Sequence, residues 1–283
     1  MKILITGATG FIGRELVNKL LKFSNHSILL LVNKKKLNLK NKNVKLIKGD
    51  ININEKIFKK IKNFQPKILI HLAWEGIPDY STKMSKINFI KQKKFFDKLF
   101  NLNSIKKIIS TGSCSEINNK SNLTSRFFVN TKKKLKLKIL NHCNKKNISF
   151  VWLRLFFVYG PNQRKNSLIS FIIDKIKNNQ KVILKQPNSK TDFVNTSDVA
   201  DLIIKKINLK KESNTVDVGS GFCVKNKDLI NYVKKITINP RKIEKKYFKK
   251  YKKNCFYAKI NPYYNWKPKI SLERGISLLV NDQ

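Results

Sequence analysis

The stretch Lys2-Ile3-Leu4-Ile5-Thr6-Gly7-Ala8-Thr9-Gly10-Phe11-Ile12-Gly13 decides the fold of this chain. Residues 2–6 read as a short apolar strand. Residues 11–23 set Ile12, Leu16, Leu20 and Leu21 at helical spacing. Between them the glycines recur as GxxGxxG. Gly7 permits a tight turn, Gly10 lets a pyrophosphate approach the backbone, and Gly13 lets the helix pack closely on the strand. The helix opens with free N–H donors and the positive end of its dipole. The pattern reads as a dinucleotide site with Gly7, Thr9, Gly10, Phe11 and Ile12 as candidate contacts; a tight structural turn is the alternative.

Working outward, strands and helices alternate. Residues 27–32 (SILLLV) form a continuous apolar run, as a strand buried on both faces requires. Strands at 44–48, 66–73, 105–111 and 148–156 alternate with helices at 55–64, 84–102 and 128–143. This rhythm predicts an α/β protein with a doubly wound parallel sheet. Beyond Tyr159 the pattern loosens into helices at 167–178, 197–207 and 226–236, strands at 181–184 and 215–218, and an irregular tail. Residues 33–43, rich in Lys and Asn, read as a loop.

Composition narrows the function classes. The chain has 283 residues, 61 Lys and Arg against 17 Asp and Glu, and a formal net charge of +44. Its 41% hydrophobic content supports a real core and excludes a disordered polybasic chain. No apolar run approaches the roughly 18 residues of a membrane span, and the N-terminus lacks a signal-peptide layout. Cys114, Cys143, Cys223 and Cys255 contain no CxxC pair, which excludes a disulfide scaffold and a Cys-rich zinc site and fits a reducing cytoplasm. No His, Cys, Asp and Glu cluster has metal-ligand spacing, so no metal is expected. Only six of the 61 basic residues are arginine. Nucleic-acid interfaces favour arginine, so the lysine excess reads as AT-rich codon bias on solvated faces. A phosphate-attracting surface is the alternative, and such a field would steer anionic ligands. Nucleic acid is not an expected partner.

Further motifs follow in order. They are Gly49-Asp50-Ile51, His71-Leu72-Ala73-Trp74, Asn88, and Ser110-Thr111-Gly112-Ser113-Cys114-Ser115-Glu116. Leu153-Arg154-Leu155-Phe156 with Tyr159-Gly160-Pro161 comes next, then Asp192-Phe193-Val194, Asp198-Val199-Ala200, Val218-Gly219-Ser220-Gly221 and Trp266-Lys267-Pro268 with Leu272-Glu273-Arg274-Gly275. With TGATGFIG at the N-terminus, this series resembles the extended short-chain dehydrogenase/reductase family of nucleotide-sugar epimerases, dehydratases and reductases, over nearly the whole chain. The resemblance implies a Rossmann-type cofactor domain, 1–157 with return segments near 191–218, and a smaller interleaved substrate-binding part, 158–190 and 219–283, with the site in the cleft between them. Strands near 191–195 and 215–218 are expected to return to the main domain. The resemblance also implies NAD or NADP as cofactor, a nucleotide sugar as substrate, a role in surface-polysaccharide synthesis, and a homodimer formed through the helices at 84–102 and 128–143.

Residue roles follow from the same resemblance. Asp50 and Ile51 would bind the adenine, and Leu72 and Ala73 would line the cofactor. Asn88 would hold the geometry of the site. Ser113 would orient the reacting oxygen, with Ser110 and Ser115 as competitors. Lys132 would bind the nicotinamide ribose and lower the pKa of a tyrosine four residues earlier, on the same helix face. That position holds Phe128, which cannot transfer a proton. No tyrosine occurs between Tyr80 and Tyr159. Losing a positioned acid/base removes roughly 10²–10⁴ in rate. Three explanations stay open: a degenerate enzyme, another group (Tyr80, Cys114 or a bound water), or a reaction that needs less help. On the substrate side, Trp74, Ser113, Tyr159, Arg164 and Lys190 are the candidate contacts. Thr191 stands where many relatives have an arginine for the diphosphate. Strand two ends at Asn33 followed by Lys34 and Lys35. No acid is there for a ribose 2′-OH, and the lysines suit a 2′-phosphate, which favours NADP. His71 reads as a packing residue and Asp198 as the start of a helix.

Overall fold

A computed structural model of the chain describes residues 1–23, 25–33, 41–117, 126–208, 210–238, 246–261 and 266–281. Along it run β1 (Lys2–Thr6), α1 (Phe11–Phe23), β2 (Ser27–Val32), β3 (Val44–Lys48), α2 (Glu55–Phe64), β4 (Ile68–His71), α3 (Thr82–Leu99), β5 (Lys107–Ser113), a 3-10 turn (Cys114–Glu116), α4 (Arg126–Lys145) and β6 (Ser149–Leu155). They are followed by β7 (Phe157–Tyr159), α5 (Leu168–Lys177), β8 (Lys190–Thr191), β9 (Phe193–Asn195), α6 (Thr196–Lys206), β10 (Ser213–Val218), β11 (Val224–Lys225), α7 (Asn226–Ile238) and α8 (Leu272–Asn281).

The chain divides into two compact units. The first comprises Met1–Arg154 and Ala200–Val216. Its seven-stranded sheet runs β10-β6-β5-β4-β1-β2-β3. The β1–β2, β1–β4, β2–β3 and β4–β5 pairs are parallel. Strand order therefore reverses at β1, which puts a crevice at the carboxyl ends of β1 and β4, where such sheets bind ligands. The central strands are apolar and buried, whereas β3 buries only Ile47 and turns Lys45 and Lys48 outward, as an edge strand must. The Asn54 side chain caps α2 through Ile57 N (2.9 Å), and Ser81 caps α3 through Met84 N (3.2 Å). Phe95, Phe96 and Leu99 of α3 meet Leu135 and Ile139 of α4 in the core beneath. No helix among the described residues is long and apolar enough to cross a membrane.

The second unit comprises Leu155–Val199 and Asp217–Gln283. Its core joins Tyr159, Ile172 and Ile173 to Tyr232, Val233 and Ile276. Here the structure corrects three expectations. The tail is not irregular: Leu272, Ile276, Leu279 and Val280 recur at i, i+4, i+7 and i+8, the buried face of α8. Residues 181–184 form no strand. Val182 and Leu184 do pack inward with Ile183 exposed, but no neighbouring described strand takes up the backbone hydrogen bonds.

The third correction concerns residues 191–195, which do not return to the main domain but belong to the second unit. They split into β8, paired antiparallel with β11, and β9, paired parallel with β7. The buried Asp192 between them explains the split. Its carboxylate accepts from Ser220 N (2.6 Å), Ser220 Oγ (2.7 Å), Gly221 N (3.2 Å) and Ala258 N (2.8 Å). Burial raises its pKa against these hydrogen bonds. Asp198, in the first turn of α6, accepts from Lys269 N (2.8 Å) and Ile270 N (3.1 Å), which is structural work. β10 does join the main sheet, beside β6.

Candidate functional site

The glycine turn is built by close backbone approach. Gly7 sits at φ +75°, and a Cβ there would lie 2.7 Å from Ala73 N. A Cβ on Gly13 would lie 2.1 Å from Gly7 O, so α1 can seat itself on the turn only without one. Gly10 N donates to Gly7 O (2.9 Å), and Arg14 Nε donates to Thr9 O (3.1 Å). Gly10 is exposed and Phe11 and Ile12 are half-buried, so the opening of α1 faces outward as a bare backbone cradle. Residues Gly7 to Ile12 thus fit a pyrophosphate at a helix N-terminus.

The end of β4 is tied to this turn. Leu72 N donates to Thr6 O (3.1 Å), and Ala73 N to Thr6 Oγ1 (3.4 Å). His71 bonds Thr6 Oγ1 through Nδ1 (2.8 Å) and Gln92 Oε1 through Nε2. Burial drives the His71 pKa down to about 3, with the Gln92 bond opposing and the Lys132 charge adding to it. His71 is therefore a neutral positioning group. Leu72 and Ala73 follow it, half-buried beside Gly7. Asn88 of α3 holds the next segment. Its Nδ2 donates to Glu75 O (3.0 Å) and Met84 O (3.0 Å), and its Oδ1 accepts from Glu75 N (2.9 Å).

The candidate adenine contacts, Asp50 and Ile51, follow β3. Asn33 is exposed where β2 ends, and Lys34 and Lys35 lie outside the described residues. Asp50 Oδ2 pairs with Lys91 (2.8 Å), and Oδ1 accepts from Ile51 N (2.6 Å). Burial alone would raise the Asp50 pKa, but those two hydrogen bonds lower it overall. Lys91 also pairs with Glu75 (2.8 Å), so one ammonium joins the chain after β3 to the chain after β4. The Ile51 side chain is buried in the unit's core. A ligand here would meet the rim of this ion pair.

Ser113 ends β5, half-buried at the carboxyl edge of the sheet. Its Oγ accepts from Ser115 N (3.2 Å), and its N–H donates to Glu116 Oε1 (2.7 Å), a reciprocal cap on the 3-10 turn. The hydroxyl keeps its own proton to donate. Lys132 on α4 is buried. Its Nζ donates to Thr111 O (3.1 Å) and lies 3.8 Å from the Trp74 ring centroid. Burial lowers its pKa to about 7, opposed by the Glu116 charge. Phe128, one turn earlier and 3% exposed, is edge-on to Trp74 (5.6 Å between centroids) and to Tyr80 (5.0 Å). The first unit thus brings Trp74, Ser113, Lys132 and Phe128 together. Glu116 received no role in the sequence reading. It is buried, bonds Ser113 N and Trp152 Nε1 (2.9 Å), and its charge reaches Lys132. The Ser113–Glu116 capping spacing was the available signal.

The remaining substrate candidates belong to the second unit. Tyr159 is corrected: its ring is 1% exposed, packs against Phe193 and abuts Gly275, and so has no face to offer a ligand. Arg164 is exposed in the turn after β7. Lys190 is half-buried, donates to Lys253 O (3.2 Å) and lies 4.6 Å over the Tyr251 ring. Among the described residues no three His, Cys, Asp or Glu side chains converge as metal ligands.

Comparison with known proteins agrees with this architecture. The chain is 25% identical to CDP-abequose synthase of Salmonella muenchen, over 99% of this chain and 97% of that protein. It is 26% identical to dTDP-6-deoxy-L-talose 4-dehydrogenase (NAD(+)) of Aggregatibacter actinomycetemcomitans, over 78% and 85%. The crystal structure of UDP-glucose 4-epimerase from Thermotoga maritima, solved with UDP-glucose, superposes with a TM-score of 0.82 at 20% identity, covering 99% of this chain and 98% of that one. The family model described as NAD dependent epimerase/dehydratase matches residues 3–219, and the chain belongs to that family.

Proposed function

We propose that this protein is an NAD(P)-dependent epimerase, dehydratase or reductase of nucleotide sugars, working in surface-polysaccharide synthesis. The observation that carries this is the joining of the glycine cradle to the β4 tail, with Lys132 tied to Thr111 O of β5, two residues before Ser113, at the same end of one sheet. The residues Gly7, Thr9, Gly10, Phe11, Ile12, Leu72 and Ala73 would hold the dinucleotide, with Asp50 and Ile51 at the adenine and Lys132 at the ribose. When bound, the nicotinamide supplies the hydride chemistry. Ser113 donates a hydrogen bond from its hydroxyl to the reacting sugar oxygen, and the half-buried Trp74 covers Lys132 against water. Arg164 and Lys190 supply charge for the sugar's diphosphate.

Asn33 at the end of β2 supports NADP, since it leaves the ribose 2′-OH without a carboxylate partner. Kd values for both cofactors check this, and tighter NAD binding would reverse the assignment. The four free thiols support a reducing cytoplasm as its location. A homodimer through α3 and α4 is supported by the exposure of Ile87, Ile90 and Leu137 on those helices.

One observation favours a second reading, a cofactor-binding protein without turnover: Phe128 fills the tyrosine position and is packed between two rings. A panel of nucleotide sugars with NAD or NADP separates the two. The enzyme reading expects wild-type turnover of at least one sugar, and a Phe128→Tyr rate within about tenfold of it. Activity that arises only in Phe128→Tyr would establish the second reading.

A further inference from the structure

We propose that Lys132 Nζ is itself the proton-transfer group of this site, giving a proton to the sugar oxygen or taking one from it. The inference rests on the enzyme reading above and adds the residue that moves the proton. Interconversion of an alcohol and a carbonyl by hydride transfer must move one proton at oxygen. In the reducing direction, hydride adds to the carbonyl carbon and the oxygen takes a proton from Lys132–NH₃⁺, leaving a neutral amine. In the oxidising direction the amine takes the hydroxyl proton as hydride leaves for the oxidised nicotinamide cofactor.

The groups around this point sort themselves. Phe128 carries no proton to give. His71 from β4 is fully buried, has both nitrogens engaged and is neutral near pH 7. Glu116 from the 3-10 turn has one oxygen on Ser113 N and the other on Trp152 Nε1. Ser113 holds an alcohol proton, suited to hydrogen bonding and not to full transfer at neutral pH. Tyr80 meets Phe128 edge-on (5.0 Å between centroids), and Cys114 is a buried thiol beside Ser113. Lys132 is different. It lies against the Trp74 face, donates one of its three protons to Thr111 O, and forms no ion pair among the described residues. The Glu116 charge favours the ammonium's proton, but burial outweighs it and lowers the pKa to about 7, where both forms are populated at neutral pH. The position that would otherwise carry a phenol holds the buried ring of Phe128, one helical turn before Lys132 and edge-on to the same Trp74.

Two measurements test this. The first is competitive acylation of the whole wild-type protein with a trace of acetic anhydride at successive pH values, read by mass spectrometry at each lysine. Lys132 is expected to reach half its reactivity near pH 7, well below the bulk lysines. A Lys132 profile that coincides with theirs overturns the proposal.

The second is Lys132→Arg, which keeps a charged donor that cannot give up its proton at neutral pH. At saturating cofactor its kcat is expected to fall roughly 10²–10⁴-fold. Should Arg not fold, Lys132→Gln takes its place, with the same expected loss of kcat. Retained kcat in either variant, or a kcat loss in Tyr80→Phe or Cys114→Ser equal to that in Lys132→Arg, overturns the assignment. A wild type that binds cofactor but turns over no nucleotide sugar defeats the enzyme reading and this proposal together. An active wild type with an equally active Lys132→Arg defeats this proposal alone.

Discussion

Gly13→Ala is expected to weaken cofactor binding at least tenfold and to cost about 1–3 kcal/mol of stability. The added methyl would meet Gly7 O at 2.1 Å, Ala8 Cα at 2.8 Å and Gly7 C at 2.9 Å. All three are backbone atoms of the turn that forms the cradle, so no flexible side chain can swing aside. Relief requires α1 to lift from β1, which carries the helix N-terminus away from its ligand. Gly13 lies within α1, where alanine is otherwise favoured over glycine by about 1 kcal/mol. A net loss would therefore isolate the steric clash. Gly10→Ala is the control. Its Cβ would meet only Gly7 O, at 3.1 Å, and project from an exposed position. It should leave the melting temperature nearly unchanged and weaken nucleotide affinity alone. Calorimetric titration with NAD and NADP, beside thermal melts, reads both effects. A Gly13→Ala protein with wild-type stability and affinity would contradict the packing described for this turn.

Lys107→Ala is expected to cost about 3–5 kcal/mol, the range for breaking a buried ion pair by removing one partner. The Lys107 side chain is fully buried where β5 begins. Its ammonium donates to Asn208 O (2.6 Å), Glu212 Oε1 (3.0 Å) and Lys206 O (3.2 Å). Glu212 also pairs with Lys206 (2.7 Å). Truncation would strip two carbonyls of their donor and leave a half-buried carboxylate with a single cation. Burial by itself would raise the Glu212 pKa, but hydrogen bonds from Lys206 and Lys107 and their charges lower it below the usual value of 4.5. This stabilisation is complete above the unfolded value and is lost as pH falls through the lower folded one. The gap between wild type and Lys107→Ala in urea midpoint should therefore be widest above pH 4.5 and narrow below it. A constant gap would argue that lost packing, and not lost charge, accounts for the effect.

Much of the fold was legible because its signals are local. The runs in β1, β2 and β4 are apolar at every position, which a central parallel strand buried on both faces demands. Where reading failed, the deciding partner was distant in sequence. Residues 181–184 alternate like a strand, yet no described strand lies alongside. Residues 191–195 are held in the second unit by a carboxylate that gathers N–H groups from residues 220, 221 and 258. α8 went unread although Leu272, Ile276, Leu279 and Val280 carried its period. The site divides in the same way. Gly7, Gly10 and Gly13 were legible because each answers a backbone need within the turn itself. Tyr159 was misplaced because its burial depends on Phe193 and Gly275.

The sequence by itself determined the sheet order's starting unit, the glycine turn between β1 and α1, and the absence of a tyrosine at position 128. Each is a matter of covalent identity or short-range periodicity. Only the tertiary structure decided which of the described lysines has its pKa lowered by burial. At Lys132, Trp74 from the β4 tail, Thr111 of β5 and Phe128 of α4 remove water from a single ammonium. A lysine's pKa follows from its desolvation and its neighbours' charges, and both are set by groups that folding brings together from three separate elements.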